Sequence, residues 1–374
     1  MSGQHEPNFK VKNQKGRIIK SVFLCLVFLF MTSWFYKLIT LFILTLVWKS
    51  YICQKLPYKQ TFKLVTLGFG FCLFWVMPRY RTNASDRIQL IYQNDNGEAV
   101  LPPISHYLIN VFFPEEELMN LGVWGARFGA TCFPYVGGSI LNQFQSDERD
   151  LKIRNFYRPY SKLNWSGKFM MSGTTSQVCN MIGMKHTQSV YLIKPKNFDK
   201  NKKYPLVFFC HGGLGNWKLY QGLWKDLKDC IVLSVGTCDW SGLYGYQDIK
   251  RLFTRQLPFV KRLGYRIDDS QLHIMGLSNG GSAVNIAYSS FAKRFKSISF
   301  LSTGIHQNYP IHSKVVMLGG GRDGSSNSLP SAYKRLKSQG SMAALYWDYR
   351  ETHFILVNQQ DKVLDFFNKE VLNK

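Results

Sequence analysis

The sequence predicts an α/β chain: a mostly parallel, doubly wound sheet, preceded by N-terminal transmembrane helices. Three observations lead there. From Ser189 onward, short apolar runs alternate with helix-patterned stretches, the signature of strands buried on both faces and covered by helices. One run, Leu272–Met275, leads straight into Gly276-Leu277-Ser278-Asn279-Gly280 and then a helix-patterned segment at 281–292. Far upstream, Ser21–Trp48 and Leu64–Met77 are almost wholly apolar.

Residues 1–20 form a polar, basic tail with Lys10, Lys12, Lys15, Arg17 and Lys20. Ser21–Trp48 is interrupted by the charge of Lys37, and about 20 apolar residues suffice to cross a bilayer. A cleaved signal peptide would need a short apolar core and a small-residue cleavage site, and neither is clear. The second run is closed by Pro78-Arg79-Tyr80-Arg81 and reaches spanning length once Thr61–Lys63 are included. Two spans are therefore expected in 21–78, joined by a loop bearing Lys49, Lys55, Lys59 and Lys63. An even count puts the tail and the large domain on one side. The positive-inside rule favours the cytoplasm for that side, although the basic loop pulls the other way.

Residues 79–188 read as an accessory region. Ile88–Tyr92 and Glu98–Leu101 flank Asp95-Asn96-Gly97, a hairpin signal. Tyr107–Val123 is helix-patterned, and Gly125–Gly138 is rich in glycine and aromatics. Nothing in this region names a chemistry. Residues 189–374 form the catalytic domain. Its strands are Val190–Ile193, Pro205–Cys210, Cys230–Val235, Leu272–Met275, Ser297–Leu301, Val315–Leu318 and Ala343–Trp347. Helices are expected at 247–263, ended by Gly264, at 281–292, and near 330–338 and 359–372. In such a sheet, chemistry sits beyond the carboxyl ends of the strands.

Three groups fall at such ends, in the order Ser, acid, His. Ser278 stands on a sharp strand-to-helix turn, where glycines at 276 and 280 avoid crowding. Asp323 follows Val315–Leu318 through Gly319-Gly320-Gly321-Arg322, and His353 follows Ala344–Trp347. A serine hydroxyl is a poor nucleophile until a base takes its proton; His353 suits that role, and Asp323 would fix its tautomer. Asp348 and Glu351 are alternatives for the acid, and His306 and His312 for the base. A fourth feature is His211-Gly212-Gly213, directly after the strand ending at Cys210.

With Gly-Leu-Ser-Asn-Gly, the HGG turn and the ordered Asp323 and His353, residues 189–374 resemble the α/β-hydrolase superfamily. Within it, Gly-Leu-Ser-Asn-Gly-Gly preceded by Ile267-Asp268 is similar to polyester-depolymerase, feruloyl-esterase and prolyl-oligopeptidase-like members. The resemblance implies an oxyanion hole from the backbone N–H groups of Gly213 and Asn279, and no proton transfer by His211. It also implies a cap after the strand that follows the nucleophile helix. Only about a dozen residues separate Leu301 from Val315, so no cap fits there. The aromatic loop 236–247 remains, with Trp240 and Tyr244 as candidate pocket walls, joined by Trp217; packing of the loop is the alternative reading.

Composition narrows the classes. The chain has 374 residues and a formal net charge of +24. Residues 1–78 carry ten Lys/Arg against one acid, Glu6, and the remainder is basic too. No zinc-finger spacing, helix-turn-helix signal or RNP-like motif supports a nucleic-acid partner, so an anionic membrane surface is the expected one, with a Lys-rich solvated surface that has no specific partner as the alternative. Eight cysteines include no CxxC, and eight histidines show no HxxxH or HxH. Neither metal nor cofactor is implied. The expected function is a multi-pass membrane-anchored serine hydrolase that cleaves a small-molecule or lipid-like carboxylic ester. A peptidase or acyltransferase with the same three residues, and a catalytically silent binding module, are the alternatives.

Overall fold

The computed structural model describes residues 87–94, 96–101, 115, 173, 188–213, 215–237, 239, 242–307 and 309–373. All lie in one compact unit. The expected spans in 21–78 lie outside the described residues, as does the helix at 107–123 except for Glu115, which is helical. Among the described residues, no helix is long and apolar enough to cross a membrane.

The strands are β1 (Ile88–Gln93), β2 (Ala99–Val100), β3 (Gln188–Ile193), β4 (Tyr204–Cys210), β5 (Ile231–Val235), β6 (Ile267–Leu277), β7 (Ser297–Leu301), β8 (Lys314–Gly320) and β9 (Ala343–Asp348). They form one sheet in the order β2-β1-β3-β5-β4-β6-β7-β8-β9. Pairing is antiparallel from β2 to β5 and parallel from β5 to β9. The parallel part is made of continuous apolar runs, as strands covered on both faces require. This mostly parallel sheet is consistent with the α/β-hydrolase resemblance, with β6 inside it and its carboxyl end leading into the helix that follows.

The helices are α1 (Lys218–Trp224), α2 (Tyr246–Arg251), α3 (Leu257–Arg262), α4 (Gly281–Ile286), α5 (Leu329–Ser338), α6 (Ile355–Asn358) and α7 (Gln360–Glu370). A π-helical turn, Leu252–Gln256, joins α2 to α3, and another, Ala287–Phe291, extends α4. The expected continuous helices at 247–263 and 281–292 are thus present but locally widened.

Alternation along each strand feeds two cores, one per face. Phe208, Ile274 and Phe300 pack with Ile249, Val260 and Val284 from α2, α3 and α4. Phe209, Met275 and Val316 pack with Trp224 from α1 and Val363 and Phe367 from α7. Each fully buried side chain of this kind contributes about 1.5–3 kcal/mol.

The hairpin placed in the accessory region belongs to the sheet itself. Asn94 accepts from the N–H groups of Asn96 and Glu98 at 3.0 Å each, and Gly97 supplies a φ of 77°. β1 then pairs with β3 over its whole length. Buried Gln93 exchanges side-chain hydrogen bonds with Gln256, pinning β1 to the helix layer. The sheet therefore begins at Ile88, well before the boundary read at Ser189.

Candidate active site

Leu277, the last residue of β6, is extended (φ −100°, ψ 130°), and the chain then turns sharply. Ser278 has a φ of 53°, a left-handed conformation that costs a non-glycine residue energy. The turn closes because Gly276 and Gly280 lack side chains. A Cβ on Gly276 would collide with the Gly280 carbonyl, and one on Gly280 with the Cys210 carbonyl. Ser278 is left half-buried at the head of α4, with Asn279 exposed beside it.

The HGG turn lies against this elbow. A Cβ on Gly212 would stand 3.1 Å from the Ser278 Cβ and 3.7 Å from its Oγ. Gly213 and Asn279, the expected oxyanion donors, each come one residue after one of these two contacting groups. His211 is wholly buried, and burial pushes its imidazole down to about 4, so it stays neutral near pH 7.

Asp323 lies just beyond β8 and is 1% exposed. Its Oδ2 accepts from His353 Nδ1 at 3.1 Å. Its Oδ1 accepts from the Ser325 N–H at 3.1 Å and the Ser325 hydroxyl at 2.5 Å. Burial pushes this carboxyl up, but the bonds from His353 and Ser325 outweigh it and hold it below the ordinary carboxylate range. His353 is more open, with its side chain 24% exposed. Gly320 makes the approach feasible, because a Cβ there would collide with the Glu351 carbonyl in the loop leading to His353.

The alternatives are placed elsewhere. Asp348 accepts from Gln359 and from the Arg350 N–H, and Glu351 accepts from Asn358 and Gln359. His306 and His312 are exposed, whereas His353 is the histidine bonded to Asp323.

Two of the three aromatic candidates lie among the described residues, and both are buried in packing, in line with the alternative reading. Tyr244 is 4% exposed, and its hydroxyl donates to the Val235 carbonyl at 2.5 Å and accepts from the His211 N–H at 3.1 Å. It fastens the ends of β4 and β5 under the HGG turn. Trp217 is nearly buried as well, and its indole N–H donates to the Gly213 carbonyl at 3.4 Å, bracing that turn. Trp240 lies outside the described residues.

Two residues were not singled out from sequence. Ser325 touches Asp323 and also His353 Nδ1 at 3.2 Å. Ser302, at the end of β7, donates to the His353 carbonyl at 3.1 Å. The Asp-Gly-Ser turn carried a faint signal for Ser325, since a serine two residues after a turn aspartate often bonds it. Nothing marked Ser302. Among the described residues, no three His, Cys, Asp or Glu side chains gather as a metal site.

No protein-family profile matches the chain. Curated relatives match over short stretches. Dipeptidyl-peptidase 5 of Trichophyton schoenleinii is 30% identical over 130 residues, covering 29% of this chain and 17% of the relative. Dipeptidyl-peptidase 5 of Aspergillus fumigatus is 68% identical over 28 residues, covering 7% of this chain and 4% of the relative. The chain thus spans a small fraction of the curated relatives it matches. Among solved structures, a ferulic acid esterase from Anaeromyces mucronatus aligns at 15% identity and a TM-score of 0.37, over 50% of this chain and 84% of its own. The acylaminoacyl peptidase of Pyrococcus horikoshii aligns at 14% and 0.39, over 50% and 40%.

Proposed function

We propose that the chain is a membrane-anchored serine hydrolase that cleaves a carboxylic ester through an acyl-enzyme. The observation that carries this reading is the buried Asp323 bonded to His353, in the same fold that sets Ser278 on a strained elbow against the HGG turn. Ser278 Oγ attacks the carbonyl while His353 Nε2 takes its proton. Charge on the tetrahedral oxygen is met by the N–H groups of Gly213 and Asn279; losing one such donor typically costs about 10²–10³ in rate. His353 then protonates the leaving group, and water hydrolyses the acyl-enzyme by the same steps. The two apolar runs in 21–78 and the basic tail support a membrane anchor, which would hold the site near lipid-like esters.

A peptidase is the second reading. The match to dipeptidyl-peptidase 5 favours it, because the same three residues can cleave amides. The two are separated by offering the full-length protein and Ser278→Ala p-nitrophenyl esters of rising acyl length beside aminoacyl and dipeptidyl arylamides. Ester turnover that Ser278→Ala abolishes is expected, and a preference for long acyl chains would point to a lipid substrate. Turnover of arylamides alone would replace the esterase reading with the peptidase one. No turnover of either would remove both.

A further inference from the structure

We propose that Ser325, braced by Ser302, is a positioning residue that holds His353 in the tautomer the reaction needs. The inference rests on the hydrolase reading above and adds two residues to it. Ser325 Oγ has three neighbours: Asp323 Oδ1 at 2.5 Å, the Ser302 carbonyl at 3.1 Å and His353 Nδ1 at 3.2 Å. A hydroxyl has one proton to donate. An ionised carboxylate and a carbonyl only accept, so the proton goes to one of them, and the shorter contact is the carboxylate. In either case Ser325 presents a lone pair to Nδ1. Asp323 Oδ2, the other group facing Nδ1 at 3.1 Å, is also an acceptor. Nδ1 must then carry the hydrogen, which leaves the Nε2 lone pair free to take the proton of Ser278.

Ser302 closes the circuit. It is fully buried with a φ of 48°, and its N–H is tied to the Leu318 carbonyl at 2.8 Å. Its hydroxyl donates to the His353 carbonyl, while its own carbonyl faces Ser325. The chain Ser302–Ser325–Asp323–His353–Ser302 thus joins the ends of β7, β8 and β9. A left-handed non-glycine at its corner indicates that the surroundings hold this geometry against local preference.

The test is steady-state kinetics of the full-length protein on p-nitrophenyl acetate, with fluorophosphonate labelling of the same samples. Ser325→Ala should lower kcat by about 10- to 100-fold and leave KM within about twofold. Placed in an Asp323→Asn background, it should cost much less than in wild type, because both changes act through one imidazole. A residue that merely stabilises the loop would cost the same in both backgrounds. Ser325→Cys, close in shape but weak in hydrogen bonding, should lose most of the same rate and serves if the alanine variant does not fold. A folded Ser325→Ala or Ser325→Cys with wild-type kcat, or full additivity with Asp323→Asn, overturns the proposal while wild-type labelling keeps the hydrolase reading. A folded wild type that neither labels nor turns over removes the reading and the proposal together.

Discussion

Asp323 is the most enclosed of the three candidate catalytic residues. Its side chain is 2% exposed, and each of its oxygens accepts at least one hydrogen bond. A buried carboxylate survives only when bonded in this way. Asp323→Asn should therefore fold but lose about 10⁴ in kcat, since an amide can present a donor to Nδ1 and favour the wrong tautomer. Kinetics paired with a thermal melt would show whether activity is lost in a folded protein. That Ser278, Asp323 and His353 stand just beyond strand ends was legible in the sequence, because each follows an apolar run at a turn. Ser302 and Ser325 were not, because serine is common and their partners come from three strand ends separated along the chain. The bracing role of Tyr244 was not legible for a related reason. An aromatic loop at a strand's carboxyl end has the composition of a pocket, and only the hydroxyl's two backbone bonds reveal a brace.

At the scale of elements, the site depends on β4, β5 and β6 ending in register. Cys210 pairs with Val235 on one side and Gly276 on the other. Tyr244 ties the first two ends together by reaching both the Val235 carbonyl and the His211 N–H. Tyr244→Phe keeps the ring and removes both bonds, so it should destabilise by about 1–3 kcal/mol and loosen the HGG turn. A denaturant midpoint equal to wild type would show the brace to be idle. The strands of the parallel sheet were legible because each is a bounded apolar run. Membership of the hairpin in the sheet was not. The pairing of β1 with β3 spans a long intervening segment, and no local pattern encodes a non-local partner. The π-helical turns were hidden too, since one extra residue per turn barely alters an amphipathic pattern.

At the scale of the whole molecule, two buried histidines among the described residues set an acid limit. Burial lowers His211 to about 4, and burial, with Lys296 second, lowers His273 to about 3. His273 meets Ser297 through Nδ1 at 2.8 Å, while its Nε2 is buried with no hydrogen-bond partner among the described residues. Both start from 6.5 in the unfolded chain. Below about 6.5 the unfolded chain binds protons that the native one refuses, so stability present at neutral pH is lost as pH falls. The melting temperature should drop between pH 7 and pH 5, and His273→Gln should flatten that drop. An unchanged slope in the variant would assign the acid sensitivity elsewhere. The apolar runs of 21–78 make a separate prediction. The full-length protein should stay with membranes after alkaline carbonate extraction and be released by detergent. Release by carbonate alone would argue against an integral anchor.

The central claim is that Ser278 is a nucleophile activated by His353. Fluorophosphonate labelling of the folded full-length protein, with the adduct mapped by mass spectrometry, tests it most directly. The account predicts one adduct on Ser278, lost in Ser278→Ala and strongly slowed in His353→Ala. A folded wild type that stays unlabelled, or an adduct that survives in Ser278→Ala, would contradict it.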